Sequence, residues 1–240
     1  MAGEGIAVVI PTLNEEDSIA AVVRALPRDI VSRVIVADGG STDATVARAR
    51  AAGAEVIAAG RGYGRACLAG AEAAADADII VFMDGDGADD PAGLDALVAP
   101  IRAGAYHFTI ASRALGVREP GSIGWHQLAA GRLAGLGTAA LYGVRYTDMC
   151  AFRAIRRDAL LALGMREMTY GWNIEMQMRA ARAGLRIREI PVAYRRRAGG
   201  RSKVAGSLTG TIRAATRIVA TFVRVAASPL HAQAAQERKA

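Results

Sequence analysis

The sequence predicts an α/β protein with a mostly parallel central sheet and helices on both faces. Three observations carry that reading. Short β-branched apolar runs alternate with amphipathic stretches through the first hundred residues, the rhythm of β-α-β units. Hydrophobic residues make up 52% of the 240-residue chain, with only 5% aromatics, and Ala, Val, Ile and Leu suit helices on a parallel sheet better than a β-sandwich. Three apolar runs end at Pro11, Asp38 and Asp84, and open parallel sheets bind ligands beyond the carboxyl ends of their strands.

The elements follow in order. "IAVVI" (6–10) is a strand closed by Pro11. In "NEEDSIAAVVRAL", Asn14 is the expected N-cap, and Ile19, Val22, Val23 and Leu26 fall at helical spacing. "RVIVAD" (33–38) is a second strand, and "GGSTD" turns the chain into a helix over 43–52. "AEVIA" (54–58) is a third strand, followed by a glycine-rich turn at 60–64 and a helix over 65–75. "ADIIVFMD" (77–84) is the fourth strand, and Pro91 marks the start of the next helix. Beyond it come a strand at 106–113, a glycine-containing loop at 114–124 and a helix at 126–141. An extended piece at 146–155, a helix at 172–184 and a strand at 185–194 interrupted by Pro191 complete the domain. Residues 1–205 read as this domain, and 206–240 as an amphipathic helix with a frayed tail.

The bulk numbers narrow the function. A net charge of +7 and a pI near 10 suit an anionic partner: a phosphorylated substrate, an anionic surface or nucleic acid. Nucleic acid is disfavoured, because acids occupy the predicted crevice and no DNA- or RNA-binding signature is present. Cys67 and Cys150 lie far apart, which excludes a disulfide framework or a zinc site and suits a cytoplasmic protein. The opening residues lack a basic n-region, so no signal peptide is expected, and no run reaches 18 uncharged apolar residues.

The strand ending "VFMDGDG" (81–87) stops at two aspartates, and Asp89 and Asp90 follow. A solvated capping turn does not explain two carboxylates leaving an apolar strand. A calcium loop fails, since Ala88 and Asp89 stand where a fifth-position oxygen ligand and a sixth-position Gly are needed. An aspartyl-phosphate phosphatase would attack phosphorus with the first Asp, but Ala88 and the fourth-strand position fit it poorly. A divalent ion holding a nucleoside diphosphate needs one or two carboxylates, which Asp84 and Asp86 supply.

"VIPTLNEE" (9–16), "VADGGSTDAT" (36–45), "FMDGDG" (82–87), "ASR" (111–113), "TDMCAFRAI" (147–155), "GWNIEMQMRA" (171–180) and "RAGGRSK" (197–203) occur in this order. This set resembles the family 2 glycosyltransferases, and within them the dolichol-phosphate mannosyltransferase branch, over residues 5–205. The resemblance implies the GT-A fold, a Mg²⁺ or Mn²⁺ cofactor, a UDP- or GDP-hexose donor and a polyprenyl phosphate acceptor. It implies that Pro11, Leu13 and Glu15 line the base and ribose, that Asp38 reads the base edge, and that Asp84 and Asp86 are the metal-binding pair, with Asp86 the direct ligand. It implies that Arg113 meets the acceptor phosphate, and that Arg197, Ser202 and Lys203 lie near the diphosphate. Two departures stand out: Ala88 replaces a Gln that often ligates the metal, with Asp89 or water as substitute. "WHQLAAGR" leaves His126, Gln127 or Arg132 to act where relatives carry a second basic residue and a serine.

The chemistry agrees. Breaking a sugar–diphosphate bond builds charge on the departing group, which a metal and cations stabilise. "RRRAGGRSK" holds five cations in nine residues. An acceptor phosphate is already ionised and needs no base, whereas an alcohol would need one, with Asp148 or Glu175 as candidates. In 207–227, Leu208, Ile212, Ala215, Val219, Phe222 and Ala226 share one helical face, and Arg213, Arg217 and Arg224 lie nearly opposite. Such a helix lies in a headgroup plane or packs on the domain. The expectation is therefore an inverting hexosyltransferase acting on polyprenyl phosphate, peripheral at the inner membrane face. The alternatives are the same chemistry on a soluble alcohol, a phosphatase, or a non-catalytic nucleotide-binding module.

Overall fold

The computed structural model describes residues 5–199 and 208–228. Seven strands form one sheet in the order β3-β2-β1-β4-β6-β5-β7, where β1 is Ile6–Thr12, β2 Arg33–Asp38, β3 Glu55–Ala58, β4 Ile79–Phe82, β5 Phe108–Ser112, β6 Arg153–Arg156 and β7 Ile187–Pro191. The first four pair in parallel, with Thr12 opposite Asp38 and Val9 opposite Phe82. The helices α1 (Ile19–Ala25), α2 (Thr45–Ala51) and α3 (Tyr63–Ala73) make the crossovers. Both faces of β1 and β4 are covered, so Ala7, Val8, Val9, Ile10, Ile79, Ile80, Val81 and Phe82 are all buried, as their unbroken apolar sequence requires.

The second half adds α4 (Leu94–Arg102), α5 (Trp125–Tyr142), α6 (Arg157–Leu163), α7 (Trp172–Arg182) and α8 (Leu208–Ala227). Strand β6 runs antiparallel to both β4 and β5. That reversal gives β5 the direction of β4, so the residue after β5, Arg113, reaches the same edge of the sheet as Asp84. Pro191 ends β7, which lies at the sheet margin where a missing N–H breaks no ladder.

Two local expectations change. Asn14 is not an N-cap. It sits at φ 50°; its N–H donates to Ser41 Oγ at 2.8 Å and its Oδ1 accepts from Thr42 N–H at 2.9 Å. It ties the turn after β1 to the turn after β2, and α1 starts later, behind Ser18. Helix α6, missing from the sequence reading, begins at Arg157 directly after β6 ends at Arg156, with no turn residue to mark its start.

The expected membrane contact through the C-terminal helix is corrected here. Two arginines of the α8 stripe, Arg217 and Arg224, pair with buried carboxylates of the domain, while Arg213 is exposed. Arg217 Nε donates to Glu167 Oε1 at 3.0 Å, and Arg224 reaches Glu167 at 3.1 Å and Glu175 at 3.2 Å. Ala214, Thr221 and Val225 form the buried face of α8, while Ile212, Val219 and Val223 stay exposed. Two buried glutamates therefore turn the helix by their need for counter-charge. Among the described residues no helix is long and apolar enough to cross a membrane. The expected tail lies outside the described residues.

Candidate active site

Three adjacent parallel strands deliver the site. Pro11 and Thr12 close β1, with Thr12 opposite Asp38 of β2, and Asp84 and Asp86 follow β4. The glycines of "DGDG" permit the turn. A Cβ at Gly85 would stand 2.9 Å from Thr12 Cγ2, and Gly87 adopts φ +78°, a region that favours glycine. Ser18 Oγ donates to the Gly85 carbonyl at 2.7 Å, fastening the turn to the start of α1. The Asp38 carboxylate accepts from the N–H groups of Gly40 and Ser41, both at 2.9 Å, and from Ser41 Oγ at 2.5 Å. It shapes the rim of the crevice, next to the half-buried Pro11 and Leu13.

The acidic cluster is larger than Asp84 and Asp86. Asp89 is buried; its Oδ2 accepts from Asp84 N–H at 3.4 Å, and Cys150 Sγ lies 3.7 Å from its Oδ1. Desolvation, then the Asp86 charge, pushes the carboxyls of Asp84 and Asp89 well above the usual range. The Tyr63 hydroxyl lies close enough to Asp84 to lower its pKa, yet closes no hydrogen bond of regular geometry. The site thus holds more negative charge than its neighbours neutralise, and its donors are hard oxygens. That suits Mg²⁺ or Mn²⁺. Among the described residues no three His, Cys, Asp or Glu side chains form a ready-made cage. These ions need none, since phosphate and water complete their shells.

Cations close over this tip from residues 195–198. Arg195 N–H donates to the Ala88 carbonyl at 2.9 Å and Ala198 N–H to the Asp86 carbonyl at 3.0 Å. Arg197 Nη1 reaches Asp86 Oδ2 at 2.8 Å, and its Nη2 reaches both oxygens of Glu15 at 3.0 and 2.9 Å. Residues Ser202 and Lys203 lie outside the described residues. Arg113 makes a bidentate pair with Asp148, both bonds 2.7 Å, and stacks 5.0 Å from the Tyr194 ring centroid. Its charge also acts on Asp84 and Asp89.

The structure brings Pro11, Leu13, Glu15, Asp38, Asp84, Asp86 and Arg197 to one crevice, with Arg113 at its side. It does not bring Glu175 there. Glu175 is fully buried and accepts from the N–H groups of Arg166 and Glu167 at 2.9 and 2.6 Å, besides pairing with Arg179 at 3.0 Å. That carboxylate holds α7 and α8 together and cannot serve as a base. Burial alone would raise the Asp148 carboxyl, but the hydrogen bonds and charge of Arg113 hold it below its ordinary value, which weakens it as a base too. Gln127 Oε1 caps α5 by accepting from Gly124 N–H at 2.9 Å, and His126 is exposed. Asp89, named from the sequence as a stand-in for the absent Gln ligand, does lie in the acidic cluster. Tyr63 and Tyr194 were not singled out as site residues, and nothing local signals them.

Comparison with known proteins places this geometry. The model of the family described as Glycosyl transferase family 2 matches residues 7–164. An uncharacterized glycosyltransferase of Mycobacterium tuberculosis is 39% identical over 221 residues, covering 88% of this chain and 95% of its own. An undecaprenyl-phosphate mannosyltransferase of Micrococcus luteus is 33% identical, covering 84% of this chain and 88% of its own. Among solved structures, glucosyl-3-phosphoglycerate synthase of M. tuberculosis, in complex with Mn²⁺, UDP and phosphoglyceric acid, is 27% identical. It covers 96% of this chain and 81% of its own, with a TM-score of 0.73. The same enzyme is known with UDP-glucose in place of UDP. These complexes, which match the chain almost end to end, correct two expectations. The acceptor is not read as polyprenyl phosphate, and the chain is not placed in the dolichol-phosphate mannosyltransferase branch. The pairing of Arg217 and Arg224 with buried glutamates agrees with that correction.

Proposed function

The chain belongs to glycosyl transferase family 2, and from that premise we propose that it transfers a hexose from a UDP-sugar to a hydroxyl of a small, soluble, phosphate-bearing acceptor. The sugar–phosphate bond breaks to release UDP as the glycosidic bond forms, and the hydroxyl proton passes to solvent, since Glu175 is remote and Asp148 is committed to Arg113. The observation that carries this reading is the cluster of half-buried Asp84 with buried Asp86 and Asp89, roofed by arginine, at the end of β4. A phosphatase reading loses ground, because that acidic charge would repel a phosphate ester unless a cation stood between them.

The residues divide the work. Pro11, Leu13 and Asp38 form the rim for the base and ribose. Asp84 and Asp86 would hold the divalent ion, Asp86 directly, with Asp89 behind them. When bound, the ion neutralises the diphosphate as the sugar–phosphate bond breaks. Arg197 supplies a second positive charge to the departing group, and Ser202 and Lys203 follow it in the sequence. Arg113, held flat by Asp148 and Tyr194, presents cationic surface to an anionic acceptor. Soluble anionic substrates suit the cytoplasm, and so do the two free, buried cysteines.

An acceptor screen tests this. UDP release from UDP-glucose with Mn²⁺ should rise on adding 3-phosphoglycerate or another small phosphate-bearing alcohol, and should stay at background with undecaprenyl phosphate. Transfer only to the lipid phosphate would overturn the acceptor reading. Absence of Mn²⁺-dependent UDP binding would overturn the donor site.

A further inference from the structure

Both oxygens of Asp86 are engaged. Its Oδ1 accepts from Ala88 N–H at 2.9 Å, and its Oδ2 accepts from Arg197 Nη1 at 2.8 Å. The other arm of the same guanidinium spans the Glu15 carboxylate. The carboxylates are about nine-tenths buried, whereas the Arg197 side chain is 26% exposed. One arginine thus serves as counter-ion to two acids from different strand tips. The backbone on either side of it is anchored, Arg195 to Ala88 and Ala198 to Asp86.

A divalent ion on Asp86 Oδ2 would stand within a few ångströms of the guanidinium already bonded to that oxygen, and two cations so close in a part-buried site repel. Direct ligation by Asp86 Oδ2 therefore favours departure of Arg197. Because its backbone stays pinned above the turn, the freed side chain remains beside the same site. Arginine grips phosphate with the same fork it uses for carboxylate.

We propose that Arg197 is a charge-exchange latch: it locks Asp86 to Glu15, and hands Asp86 to the metal as it transfers its own charge to the donor diphosphate. Metal and nucleotide then bind cooperatively, since each removes a cost that the other would face alone. Either ligand raises the affinity of the other by the same factor. The latch rests on the donor site proposed above.

Four calorimetric affinities test it: Mn²⁺ alone, Mn²⁺ with saturating UDP, UDP alone, and UDP with Mn²⁺, in wild type and Arg197→Gln. Wild type should show weak binding of Mn²⁺ alone and strong mutual enhancement. In Arg197→Gln, Mn²⁺ alone should bind about fivefold more tightly, the equivalent of one well-formed ion pair. The enhancement by UDP should shrink by at least that factor. Mn²⁺ alone should also raise the melting temperature of Arg197→Gln more than that of wild type. Glu15→Gln, which loosens the guanidinium without touching Asp86, should move the same way by less, and it provides the test if Arg197→Gln does not fold. A folded variant that binds Mn²⁺ alone no more tightly than wild type, with unchanged coupling to UDP, overturns the latch and leaves the donor site standing. A wild type without Mn²⁺-dependent UDP binding overturns both.

Discussion

Replacing Asp86 by asparagine removes one charge and almost no volume. The amide oxygen can still accept from Ala88 N–H, the 2.9 Å bond that shapes the turn. What is lost is the pair with Arg197 at 2.8 Å, and Arg197 keeps its fork on Glu15. Because Arg197 is partly exposed, the stability cost should be about 1 kcal/mol, or roughly 2–4 °C in melting temperature for a chain of this size. The catalytic cost is larger, since Asp86 is assigned to hold the charge that stabilises the departing UDP. Losing one such group lowers turnover by about 10²- to 10³-fold, some 3–4 kcal/mol. UDP release from UDP-glucose with Mn²⁺ measures the second quantity, and a thermal melt the first. A variant that turns over within a few-fold of wild type, with the same Mn²⁺ dependence, would refute the assignment of Asp86. A melting temperature lowered far beyond the stated range would show that the residue serves the fold instead.

Two further outcomes follow from buried charge. Glu175→Gln should lower stability by about 2 kcal/mol, the scale of charged hydrogen bonds lost in the interior, while turnover per folded molecule stays unchanged; a large fall in turnover at constant stability would return Glu175 to the chemistry. The pKa values of Asp84 and Asp89 are pushed up to about 8 and about 7, above the usual carboxylate values, so the folded protein holds these protons more tightly than the unfolded chain. Stability from this cluster should therefore fall as pH rises from about 4 through 8. Mn²⁺ affinity should rise over the upper part of that range as protons leave. Mn²⁺ affinity that is flat between pH 6 and 8.5, measured by calorimetry, would contradict this picture.

The sheet was legible for a physical reason. In a parallel strand buried on both faces, nearly every residue must be apolar, and runs such as "IAVVI" and "IIVF" announce themselves. The acids at the ends of β2 and β4 were legible because a charge can follow such a run only where the strand leaves the core. Asn14 misled because an amide that caps a helix and one that bridges two loops look alike in sequence. Helix α6 escaped because it follows β6 without a Gly, Pro or other turn residue between them. The α8 stripe misled because its period shows that the arginines share a side, but not what that side meets.

The sequence by itself determined the α/β architecture, the strand tips that would meet and the residue types found there. Those follow from backbone periodicity and burial, which act over a few residues. Only the tertiary structure decided which charges answer one another. Arg197 meets an acid 111 residues away and another 182 residues away, and Arg217 and Arg224 turn inward to Glu167 and Glu175. No local pattern encodes such pairs, because a buried carboxylate takes whichever cation the folded chain carries to it.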